Sequence, residues 1–195
     1  MIKCKMIALY KMTRMPSINF FAQTKLLIGL IVGYTLIYFA NNHLTDALYL
    51  VPGAHLIHIP SGIKILMVLI TGWLGAIAIF CAALLWGLLV AFPEQYALVL
   101  LLSLSGAAIP YLVCQYFTQR YSLHDDLSNL TAKVVFLIAI AYSIANSITI
   151  QSILYLHAPE TNWANGMVVM FLGDVSGILI VISIARWLMH LFRRN

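Results

Sequence analysis

The chain has 195 residues, 63% of them hydrophobic and only 9% charged, with a formal net charge of +5. Mean hydropathy is +0.96. That balance argues against a soluble globular domain and reads as an integral membrane protein, whose positive charge orients spans and meets anionic lipid instead of nucleic acid.

In chain order, residues 1–25 are a basic tail carrying Lys3, Lys5, Lys11, Arg14 and Lys25. The first apolar run is Leu26–Ala40. No small-x-small cleavage site follows Ala40, so the run reads as a signal anchor, not a removed secretory signal. Met6, Met12 and Met15 leave the start codon open. Three further runs are plain: Tyr96–Phe117, Lys133–Leu156 and Met167–His190. All are continuous and not alternating, so they read as helices and not barrel strands.

The stretch Ile63–Phe92 decides the topology. As one helix it would be roughly 45 Å long at 1.5 Å per residue, against a hydrocarbon core of about 30 Å. Read so, the chain has five spans, and Arg120, Lys133, Arg193 and Arg194 lie opposite the basic tail. Split at Gly72–Gly75, it has six spans, and every Lys and Arg except Lys64 falls on one side. The positive-inside rule selects six. The expected fold is therefore an all-α polytopic membrane bundle of about six helices in the bacterial inner (plasma) membrane. Residues 26–192 form a single transmembrane domain, and both termini, including 193–195, are cytoplasmic. The second span must start near Ala54 to be long enough. It then contains His55, His58, Pro60 and Gly62, which argues for a kinked or partly re-entrant lead-in.

Asp174 is the polar residue most in need of a reason, because a carboxyl group inside such a run is costly unless paired, protonated or wet. In the six-span reading it lies about 10 Å below the outer helix end, Ser103 and Ser105 about 10–14 Å, and Asn146 about 15 Å. Lys64 falls near mid-membrane. These five form a candidate ligand pocket open to the outside, with Lys64 and Asp174 expected to pair across the second and sixth helices. His55 and His58 sit three residues apart on one face. That spacing suits two metal ligands, with Asp46 or His157 in reach, but no third ligand is evident, and a pH-sensing or outer-gate role is preferred. Gly29-x-x-x-Gly33 and Gly173-x-x-x-Gly177 read as helix-packing positions, the first also as a face for a partner protein. Cys4, Cys81 and Cys114 support neither a disulfide framework nor a metal site. No phosphate loop, dinucleotide fingerprint or nucleophile elbow is present, so no enzymatic activity, cofactor or nucleic-acid partner is expected.

Ile59-Pro60-Ser61-Gly62-Ile63 and Phe171-Leu172-Gly173-Asp174-Val175-Ser176-Gly177 resemble two motifs of the MASE-type membrane-associated sensor domains of bacteria. The resemblance covers Ile59–Ala91 and Met167–Ile182. Ile59 and Phe171 stand where that family has tryptophan, and no output domain is expected to follow. It implies a sensory or small-ligand-binding module acting through a separate partner. In size and span number the chain is also similar to the substrate-binding subunits of energy-coupling-factor vitamin transporters. That similarity implies instead a ligand taken from outside and a first helix docked on a transport module. A structural or assembly subunit without ligand is the third alternative.

Overall fold

The computed structural model describes residues 20–44, 49–51, 54–124, 127–159 and 162–192. The apolar runs fold as helices because hydrocarbon offers no outside partner for backbone N–H and C=O groups. Six result: α1 Phe20–Leu44, α2 Ile59–Thr71, α3 Trp73–Trp86, α4 Tyr96–Arg120, α5 Ala132–His157 and α6 Trp163–Phe192. A π-helical turn, Gly87–Ala91, extends α3. A short antiparallel ribbon, β1 Tyr49–Val51 with β2 Ala54–His55, joins α1 to α2. Among the described residues five helices are long and apolar enough to cross a membrane. This is a multi-pass membrane helix bundle.

α2 is the exception. Its 13 residues rise only about 20 Å. It starts at Ile59, with Pro60 in the first turn, where a missing N–H and a preset φ cost nothing. The sequence places the start of the second span near Ala54, with a kinked or partly re-entrant lead-in; residues 54–58 are indeed not helical, and the start of the helix is corrected to Ile59. Non-helical backbone is tolerated here because it is hydrogen-bonded to neighbouring helices. His58 N donates to Gly173 O at 3.1 Å, and Ser176 Oγ donates to Leu56 O at 2.9 Å. Ile59 N donates to the Asn41 side chain of α1 at 3.0 Å, which caps the start of α2. Gly173 is ten residues into α6, about 15 Å along its axis, so α2 begins deep within the bundle.

The chain reverses between α2 and α3 at Gly72, whose φ of 60° suits glycine alone. Gly75 lies against this corner, where an added Cβ would fall 2.7 Å from Met67 O. The earlier split of Ile63–Phe92 lands at this turn. α3 then returns toward the end of α1, where Trp86 packs on Tyr38 at 5.2 Å between ring centroids. Directions alternate through the remaining helices, so Phe20 and Phe192 lie at one end of the bundle and the ribbon at the other. The core is apolar and small-residue-rich, built on Ile65, Ala78, Ile79, Ile138, Tyr142 and Ile178, all without solvent exposure.

The boundaries of α1, α4, α5 and α6 move outward by up to six residues. α1 begins at Phe20, so Phe20–Lys25 are helical instead of tail, and ends at Leu44, four residues beyond the expected Ala40; α6 begins at Trp163, four residues before the expected Met167. Residues 1–19 and 193–195 lie outside the described residues.

Candidate functional site

Asp174 is completely buried on α6, facing the first turn of α2. Its carboxylate is surrounded by donors. The Ser61 hydroxyl donates to Oδ1, and Asn146 Nδ2 donates to Oδ2 at 2.7 Å. His58 Nδ1 lies 3.0 Å from Oδ1 and 2.8 Å from Ser61 Oγ. The positive end of the α2 dipole points the same way, because Ser61 is in that helix's first turn. A carboxyl group that is costly in lipid is thereby satisfied by three side chains and a helix terminus.

This corrects the expected pairing. Among the described residues the one basic side chain within 4.0 Å of the Asp174 carboxylate is His58, not Lys64. Lys64 is buried on α2, one turn beyond Ser61. Its Nζ instead lies beside Gly106 of α4, 3.6 Å from where a Cβ would stand. It has no hydrogen-bond partner among the described residues.

Lys64 borders a cavity of about 750 Å³ enclosed by α1, α3, α4, α5 and α6. The volume is that of a typical small-molecule site. At one end of it Lys64, His58, Asn146 and Ser103 supply polar atoms. Apolar walls follow, including Leu98, Val99, Leu102 and Met170. Asn42, Phe92, Gln95 and His157, from the helix ends on the ribbon side, mark the other end. Asp174 is not on the wall. It sits behind Asn146, and orients that side chain: a carboxylate only accepts, so the Asn146 nitrogen must face it. Asn146 Oδ1 is left buried with no hydrogen bond.

Of the five expected pocket residues, Lys64, Ser103 and Asn146 line the cavity, Asp174 supports it, and Ser105 borders neither. His58, expected at an outer gate, lies instead on the cavity wall and against Asp174. His55 belongs to β2 and its side chain, like Asp46, lies outside the described residues. Among the described residues no three His, Cys, Asp or Glu side chains group as a metal site would require. The Gly173–Gly177 segment is tightly packed. A Cβ on Gly177 would overlap the His58 carbonyl, and one on Gly62 would fall 2.6 Å from Gly177 O. Gly29 and Gly33 differ: a Cβ on either meets nothing within 4 Å. Their assignment to packing inside the bundle is corrected accordingly.

Sequence reasoning missed the Ser61 contact and the depth of His58. The signal was present in Ile59-Pro60-Ser61, since proline marks the first helical turn and sets where α2 begins.

Comparison with family models, with curated proteins and with solved structures finds no match to this chain.

Proposed function

We propose that this membrane protein is a ligand-binding module without catalytic activity, which takes a small amphiphilic molecule into the cavity and passes its occupancy to a partner protein. One observation carries the reading. A buried ammonium, Lys64, ends a cavity of about 750 Å³ with a largely apolar middle and, among the described residues, has no carboxylate within 4.0 Å. An uncompensated buried charge is costly, and a ligand anion offsets that cost. The cavity wall also includes Asn146 and His58, which hold Asp174 and hence the contact between α2 and α6. Occupancy therefore bears on a helix crossing, the element a sensory module needs.

Orientation belongs to the same proposal. The exposed Lys25, Arg120, Lys133 and Arg186 lie at the end away from the cavity mouth. The positive-inside rule then makes that end cytoplasmic in a bacterial inner membrane and opens the cavity outward.

A second reading is the substrate-binding subunit of an uptake system. It draws on α1, whose apolar window is only 6% buried and whose Gly29–Gly33 face is open. A coupling subunit would cover such a face.

The test is native mass spectrometry of the protein extracted in mild detergent. Wild type is expected to carry a small molecule that Lys64→Met loses. An empty wild-type protein, also after incubation with a membrane extract, overturns the binding reading. Co-purification of an ATPase with α1 intact, and its loss in a Gly29→Leu, Gly33→Leu variant, would select uptake over sensing.

A further inference from the structure

We infer that the ligand is an amphiphilic carboxylate bearing an amide N–H or hydroxyl beside its acid group, of which an N-acylated amino acid is the simplest chemical case. This rests on the ligand-binding reading above and adds the chemistry of the head group.

Three features of the cavity specify it. Lys64 presents an ammonium, and the one nearby carboxylate is already engaged: Asp174 accepts from Ser61 on Oδ1 and from Asn146 on Oδ2, with His58 Nδ1 at 3.0 Å. The missing partner of Lys64 is an anion that arrives with the ligand. On the same cavity wall Asn146, 1% exposed, leaves Oδ1 without a hydrogen bond among the described residues. The amide cannot rotate to cure this, because its nitrogen is committed to Asp174. A buried acceptor of this kind requires a donor, so the head must donate as well as carry charge. The apolar part of the wall, through Leu98, Val99, Leu102 and Met170, suits an alkyl or acyl chain.

Competing chemistries leave something unsatisfied. A simple fatty acid answers Lys64 and the apolar wall but not Asn146 Oδ1. An inorganic anion leaves the apolar volume empty. A cationic amphiphile is repelled by Lys64.

The experiment uses the full chain in phosphatidylcholine nanodiscs and three probes of matched length, with empty nanodiscs as reference. N-octanoylglycine has both charge and N–H, N-octanoylglycinamide lacks the charge, and undecanoic acid lacks the N–H. N-octanoylglycine is expected to bind roughly ten- to a hundredfold tighter than either of the others. Lys64→Met should abolish its advantage over the glycinamide. Equal affinity for the acid and the glycinamide in wild type overturns the head-group inference and leaves the binding reading standing. No binding of any probe above that of empty nanodiscs overturns both. The wild-type comparison decides the matter even where Lys64→Met fails to fold.

Discussion

Asp174 and Lys64 are two buried charges with opposite fates. Asp174 is enclosed by Ser61, His58 and Asn146, so its worth is structural. Asp174→Asn replaces one acceptor oxygen with a donor facing other donors, and should destabilise the protein by about 1.5–3 kcal/mol, the usual worth of a hydrogen bond to a charged group. A double-mutant cycle with Asn146→Leu should show strong coupling, because the two side chains share one contact. Lys64 has no such partner, so Lys64→Met should leave the melting temperature unchanged or raised, a buried ammonium being replaced by an apolar side chain. Strict additivity of Asp174→Asn with Asn146→Leu, or a large loss of stability in Lys64→Met, would contradict this division of roles. The layer holding Lys64, Ser103, Asn146 and Asp174 was legible in the sequence, because helix rise converts residue number into depth. The partner of Asp174 was not. Hydropathy places a helix along the membrane normal but says nothing of rotation about its axis. It also cannot report that residues 54–58 descend as non-helical chain and carry His58 down to the carboxylate.

At the scale of the elements, the crossing of α2 on α6 is close and has a clear cause. Gly62 and Gly177 meet backbone to backbone, and a Cβ at 177 would overlap the His58 carbonyl. Gly177→Ala should therefore cost about 1–3 kcal/mol, as overpacking does in a filled core, and should weaken ligand retention because it displaces His58. Gly29→Ala meets open space and should be neutral or stabilising by about 0.5–1 kcal/mol, the propensity difference in a helix. Thermal melting of the two variants in one detergent separates them, and similar melting points would show that the α2–α6 contact is not tight. Both glycine pairs have the same spacing in the sequence, so spacing alone did not distinguish them. What distinguishes them is the neighbour. Gly173–Gly177 faces the non-helical lead-in of α2, which needs close backbone approach, while α1 keeps most of its surface outside the bundle.

For the whole molecule, the six-helix fold was legible because charge and hydropathy constrained it together. Apolar length alone allowed five spans or six, and the distribution of Lys and Arg selected the turn that the backbone makes at Gly72. The same asymmetry predicts how the bundle sits. Lys25, Arg120, Lys133 and Arg186 are exposed at the end that holds Phe20 and Phe192. At the opposite end the described residues include Glu94 and no Lys or Arg. Cytoplasmic loops retain basic residues because translocating them is disfavoured, so the basic end should face the cytoplasm. A reporter fused after Asn195 should be active only in the cytoplasm. In a background with Cys4, Cys81 and Cys114 replaced by serine, Glu94→Cys should react with a membrane-impermeant maleimide in intact spheroplasts. Arg120→Cys should react only after permeabilisation. Both positions are exposed and lie beyond or at helix ends, so reagent access reports the side and not burial. The reverse pattern would leave the helix packing intact but turn the cavity mouth, with Gln95 and His157, toward the cytoplasm. The ligand would then have to be an intracellular metabolite instead of one met from outside.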